Sequence, residues 1–271
     1  MPMVVLEHPS GSRAEVYLHG AQVASWIPEN GREMLFVSRR AIFSAGKAIR
    51  GGIPVVFPQF ADSGPLPKHG WLRTSEWKVA ERQRADAVTL VIENDSASIA
   101  LWPHTYRVEL TVSIGADWLD VSMSVHNPGA ETFDFSAALH TYLSVGDVER
   151  VEINGLDDTS FIDKVRGGIV VEAGQGALRI SSETDRIYMD VKNPVALREQ
   201  GSGEKLEVVA SGFPDVVIWN PGSEVTKGIA DMLPGEYRDM VCIEAAAAAK
   251  PLTLEPLSTW RGSQHLAVMR P

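Results

Sequence analysis

Cysteine is almost absent from this sequence. Cys242 is the single one among 271 residues, so no intrachain disulfide can form and a reducing compartment is expected. Basic charge is scarce too: 25 Lys and Arg stand against 35 Asp and Glu, a formal net charge of −10. Such a chain repels nucleic acid or an anionic membrane unless a local basic patch reverses the field, so neither partner is expected. There is no apolar run of about 18 residues of the kind that spans a bilayer. Met1 to Ser10 lacks a basic segment followed by an apolar core. A soluble, cytoplasmic protein is expected. With 44% hydrophobic and 22% charged residues, the composition is ordinarily globular, which excludes disordered and low-complexity readings.

Common reaction motifs are missing as well. Gly174-Gln175-Gly176 continues as Ala177-Leu178-Arg179, without the third glycine of a dinucleotide fingerprint. No phosphate-binding GxxxxGK[ST] loop and no GxSxG nucleophile elbow occurs. The histidines at 8, 19, 69, 104, 126, 140 and 265 show no HxH or HExxH spacing, and Cys242 has no second thiol to pair with, so no metal is expected. The chemistry left open is what His, Glu, Asp and Arg perform without a cofactor.

What the chain has in quantity is short alternating strands. Leu119, Val121, Met123 and Val125 are apolar and Asp120, Ser122 and Ser124 polar, the two-residue period of a half-buried strand. Val108, Leu110, Val112 and Ile114 repeat the pattern, and Gly115-Ala116-Asp117 joins the two as a hairpin loop. Asn127-Pro128-Gly129 turns the chain into Phe133, Phe135, Ala137 and Leu139. Further strands are expected at Glu15 to Leu18, Val88 to Ile92, Leu206 to Ala210 and Val216 to Trp219. Ala245 to Ala249 has helix propensity, but Pro251 follows too closely for a long helix. With 23 glycines and 16 prolines spread throughout, the reading is all-β, a large antiparallel sandwich or barrel with few short helices. No linker-like segment interrupts it, so one domain over 1–271 is expected.

Four segments hold candidate chemistry. RGGIPVVFPQF (50–60) and KHGWLR (68–73) place Arg50, Lys68 and Arg73 in Gly/Pro-rich backbone. Such loops can converge cations on an anion, although three solvated surface cations would give the same pattern. In Phe133 to Tyr142, alternation turns His140 with Asp134 and Ser136 away from the apolar stripe. A histidine there is either a general acid or a structural or exposed residue. Val241-Cys242-Ile243-Glu244 reads as a short apolar strand ending in a carboxylate. Burial would raise that carboxyl toward a general base, and an ion-paired edge carboxylate is the alternative. In Glu183 to Tyr188, Asp185 opens a strand and either accepts sugar hydroxyls or forms a turn.

Together and in this order, RGGIPVVFPQF, KHGWLR, ALHTYLSV, ETDRIY, VVIWNPG with the following ADM, and VCIEA resemble the hexose-6-phosphate mutarotases (glucose-6-phosphate 1-epimerases) of the aldose 1-epimerase family. The match runs from about Leu35 to Leu266. The resemblance implies a galactose-mutarotase-like β-supersandwich that interconverts sugar anomers, with a small sugar phosphate as partner, no cofactor, and a monomeric state. It assigns His140 as general acid and Glu244 as general base. Arg50 and Arg73 would bind substrate and its phosphate, His69 would lie at the pocket, and Asp185 would hold sugar hydroxyls. Lys68, where relatives often carry glutamine, adds a cation to substrate binding, and the five alanines after Glu244 depart from the family pattern. The resemblance also implies that Glu244 is ionised and His140 protonated. Two other readings remain open: an aldose 1-epimerase acting on free hexoses, and a non-catalytic carbohydrate-binding sandwich using Trp71 and Trp219 to stack on sugars.

Overall fold

The computed structural model describes residues 1–201 and 203–270 and, at 81–83, the backbone alone. Among the described residues, two short α-helices occur, Ser96–Leu101 and Gly222–Thr226, and antiparallel strands dominate. Among the described residues, no helix is long and apolar enough to cross a membrane. The expected strands and the hairpin at 115–117 are present, as Arg107–Ile114 followed by Trp118–His126.

Two eight-stranded sheets face each other across one core. The first runs in the order Ile169–Glu172, Ser160–Asp163, Thr184–Tyr188, Asp215–Asn220, Met240–Leu254, Phe133–Leu139, Val55–Val56, with Tyr142–Ser144 also paired to Met240–Leu254. The second is centred on Lys205–Ser211, Thr259–Met269, Trp118–His126 and Arg107–Ile114. Leu139, Ile218, Ile243 and Ala245 from the first share a buried cluster with Leu110, Val121 and Leu266 from the second. Each fully buried Leu, Ile or Val among them contributes about 1.5–3 kcal/mol. A three-stranded sheet, Met3–Glu7, Arg13–Tyr17 and Gln22–Ile27, extends the same core through Leu6, Val16 and Trp26.

The first sheet is covered on its far side as well. Ala138, Ile187, Val217 and Ala246 form a second apolar cluster there with Val56 and Phe60, and Phe36, Tyr142, Met232, Met240 and Cys242 form a third. The alternation at Phe133 to Leu139 therefore separates two buried faces, one of core and one beneath covering loops.

The Val241–Glu244 segment does not end its strand at the carboxylate. Met240–Leu254 continues through all five alanines, so their helix propensity is overridden by pairing on both sides. The register against Phe133–Leu139 jumps between Ala247 and Leu252. The buried Asp215 carboxylate accepts the freed Ala248 and Ala249 N–H groups at 2.9 and 2.8 Å. Pro251 is tolerated inside this irregularity because no ladder hydrogen bond is asked of it there.

Candidate active site

Strand register collects the candidate side chains on the far face of the first sheet. Glu244 pairs with Val217, Cys242 with Trp219 and Tyr142, and Asp185 with Trp219. Cross-strand partners share a face, and the intervening Ile218 and Ile243 enter the main core. His140 follows Leu139 just beyond its strand, in step with Ala138 on the far face. Backbone order fixes it there: its N–H donates to Pro54 O at 3.0 Å. Arg50, Lys68, His69, Arg73, His140, Asp185 and Glu244, the residues singled out above, all line one cavity of about 390 Å³.

At its floor, His140 Nδ1 lies 3.2 Å from Glu244 Oε1. The two atoms lack hydrogen-bond alignment, and both His140 Nδ1 and Glu244 Oε2 are buried without a hydrogen-bond partner. Unsatisfied buried polar atoms are costly, and in a cavity wall they point to a ligand that would satisfy them. Burial pushes the Glu244 carboxyl well above its ordinary range, with Asp185 adding in the same direction. It pushes the His140 imidazole well down, helped by His69, Arg73 and Arg50. Burial therefore favours a neutral acid beside a neutral imidazole. This reverses the ionised arrangement expected from the sequence, because desolvation penalises both charges. Both arrangements hold one proton between the two groups.

The imidazole is fixed by its neighbours. Tyr142 stacks on it at 4.8 Å between centroids and 10° between planes, and Trp219 and His69 meet it edge-on at 5.9 and 5.5 Å. Tyr142 OH accepts from Arg50 Nη1 at 3.1 Å, and Arg50 Nε donates to Asp231 Oδ1 at 3.1 Å. Arg50 thus enters the site already paired. The backbone that presents it is tight: at Gly51, φ is +116° and a Cβ would sit 2.2 Å from Phe36 O.

His69 adopts φ +64°, a region few non-glycine residues occupy. Its N–H donates to Ala61 O at 2.9 Å, and its Nδ1 accepts from Ala61 N–H at 3.3 Å. An accepting Nδ1 puts the single ring proton on Nε2. Burial and the cations Arg73, Lys68 and Arg50 push its pKa down to about 3, so His69 is a neutral donor. The following Gly70 cannot be replaced, since a Cβ would lie 1.8 Å from Phe57 O.

Arg73 differs from Arg50. Its Nη2 donates to Lys68 O at 2.9 Å, its Nε is buried with no partner, and among the described residues it makes no ion pair. With exposed Lys68 beside it, it supplies spare cationic donors at the cavity wall. Asp185 lines the same cavity, its carboxyl raised by burial, with Lys164 and Lys68 opposing that shift.

Tyr142, Asp231 and Trp219 complete the site. Tyr142 is two residues from His140 and shares its parity, a signal alternation could have supplied; Asp231 lies in a loop without periodicity, inside the ADM block quoted above, which assigned it no role. Trp71 does not line this cavity, its Nε1 donating instead to Tyr106 OH at 3.0 Å, so the two tryptophans do not share one site.

The sequence pattern of the family described as aldose 1-epimerase matches residues 2–267. A protein of Cenchrus ciliaris provisionally named glucose-6-phosphate 1-epimerase is 33% identical over 277 residues, covering 98% of this chain and 84% of the relative. The crystal structure of a provisionally named mutarotase from Salmonella typhimurium superposes with a TM-score of 0.90 at 28% identity, covering 98% of this chain and 90% of that one. A galactose mutarotase-like protein of Lactobacillus casei shares the fold at TM-score 0.81 and 16% identity, covering 99% and 100%.

Proposed function

The chain belongs to the aldose 1-epimerase family, and from that premise we propose that it interconverts the α and β anomers of a hexose 6-phosphate, with Glu244 and His140 as one proton-transfer pair. The observation that carries this reading is the 3.2 Å approach of His140 Nδ1 to Glu244 Oε1 in a buried cavity lined by arginine. The names of the relatives, glucose-6-phosphate 1-epimerase and mutarotase, support it.

Sugar binding moves the pair's one proton from Glu244 to His140; in ring opening Glu244 as carboxylate then takes the proton of the anomeric hydroxyl while His140 as imidazolium gives one to the ring oxygen. The C1–O5 bond breaks and C1 becomes an aldehyde. The pair is then neutral acid and neutral imidazole, the state that burial favours. After rotation about C1–C2, His140 takes the proton back from the C5 hydroxyl, Glu244 returns one to the carbonyl oxygen, and closure on the other face gives the second anomer. Each positioned acid or base contributes on the order of 10²–10⁴-fold. His69 Nε2–H is a neutral donor for a sugar oxygen, and Asp185 an acceptor for sugar hydroxyls.

Arg73 and Lys68 carry the phosphate reading, since Arg50 is already committed to Asp231 and Tyr142. For Arg73→Ala, KM for glucose 6-phosphate is expected to rise about 10- to 100-fold, the value of one charge-assisted hydrogen bond. KM for free glucose should stay nearly unchanged. Anomer exchange measured by NMR on both sugars checks this; equal effects on both remove Arg73 from phosphate recognition and favour a free hexose as substrate.

A further inference from the structure

Histidine spacing along the chain shows no metal pattern, but folding assembles one. One ligand atom each from His140, Cys242 and Glu244 lies within 4.8 Å of the other two, and all three residues are buried. Cys242 sits two residues before Glu244 on the same face of Met240–Leu254, between Trp219 and Tyr142 in the flanking strands. His140 Nδ1 and Glu244 Oε2 already lack partners. Imidazole, thiolate and carboxylate together suit zinc and its thiophilic neighbours and suit magnesium or calcium poorly. Bonds of about 2.3 Å to sulfur and about 2.0 Å to nitrogen or oxygen place tetrahedral ligand atoms about 3.5 Å apart. The imidazole–carboxylate pair meets that spacing at 3.2 Å, and drawing in the sulfur takes a shift of little more than about 1 Å.

We propose that His140 Nδ1, Cys242 Sγ and a Glu244 carboxylate oxygen bind a thiophilic divalent cation, Zn²⁺ in the first instance, and that the bound ion excludes the sugar. Coordination releases the Cys242 thiol proton to solvent and changes no oxidation state. Three protein ligands leave a fourth position for water. Inhibition rests on the proposed catalytic role of His140 and Glu244, whereas binding of the ion does not.

The test uses wild type, Cys242→Ala and Cys242→Ser, each checked for cooperative thermal unfolding, with Co²⁺ as spectroscopic probe and Zn²⁺ as inhibitor. Co²⁺ should give a thiolate-to-cobalt charge-transfer band in wild type that both variants lack. Zn²⁺ should inhibit glucose 6-phosphate anomer exchange competitively and reversibly by chelator. The half-inhibiting concentration should rise at least about tenfold in both variants, whose exchange without metal matches wild type. Mg²⁺ should have no effect. Absence of the sulfur band in wild type, or unchanged Zn²⁺ sensitivity in both variants, overturns the site. The band without inhibition overturns the exclusion of sugar and, with it, the catalytic placement of the pair. Wild-type protein that shows the band but exchanges no anomers supports the metal site and removes the proposed activity alone.

Discussion

Tyr142 joins two parts of the site that the sequence keeps separate. Its ring face holds His140 in plane and its hydroxyl holds Arg50, which Asp231 also grips. The two roles separate by substitution. Tyr142→Phe keeps the stack and removes one of the two anchors that orient Arg50, so KM for the sugar should rise several-fold, short of the roughly 10- to 100-fold of a whole charge-assisted hydrogen bond, with kcat little changed. Tyr142→Leu loses the stack and should lower kcat as well. Steady-state anomer exchange across both variants decides between these roles, and a fall in kcat for Tyr142→Phe as deep as for Tyr142→Leu would contradict the division. Much of this was legible at the residue scale. Alternation alone turned His140 away from the core, and the apolar run around Glu244 left a buried carboxyl and an ion-paired edge carboxylate both open. Protonation was not legible, because the charge each group carries depends on desolvation by elements distant in sequence.

Among the elements, the strand Met240–Leu254 departs most from its local propensity. Five alanines would favour a helix in isolation, yet pairing with Asp215–Asn220 on one side and Phe133–Leu139 on the other imposes extension. Asp215 secures the point where that pairing breaks. Asp215→Ala leaves the Ala248 and Ala249 N–H groups without their acceptor, so a stability loss of about 2–4 kcal/mol is expected, read by urea unfolding. A loss below about 0.5 kcal/mol, the size of an ordinary surface substitution, would mean water replaces the carboxylate there. Strands and hairpins with clear alternation were readable one by one. The order in which they pair was not, and that order brings His140 beside Glu244, 104 positions later, with cations from the 50–73 segment above them. The short blocks that carry the family resemblance were therefore recognisable as a set before any spacing could say why they belong together.

For the whole molecule, the burial of His140, Glu244 and His69, which disfavours the charged form of each, ties folding to pH in two opposed ways. His69 takes up its proton only near pH 3 when folded, against 6.5 ordinarily. As pH falls from 6.5 toward 3, the unfolded chain gains a proton the folded one refuses, so stability is lost over that window. His140, also lowered, acts in the same sense. Glu244, raised from 4.5, acts oppositely: its contribution is present below 4.5 and is lost as pH rises toward its folded value. Melting temperatures followed from pH 7 to 4 should fall less steeply for His69→Asn than for wild type; an unchanged slope would mean His69 is protonated in the folded state. Glu244→Gln, in turn, should gain stability relative to wild type as pH rises above 4.5, the expected mark of a group held for function at a cost to folding.

Whether Glu244 and His140 act as one proton-transfer pair is tested most directly by NMR exchange between the α and β anomers of glucose 6-phosphate. Wild-type protein is predicted to accelerate exchange well beyond the uncatalysed rate, and folded Glu244→Gln to lose on the order of 10²–10⁴-fold of that acceleration. Near-normal exchange in Glu244→Gln would contradict the assignment.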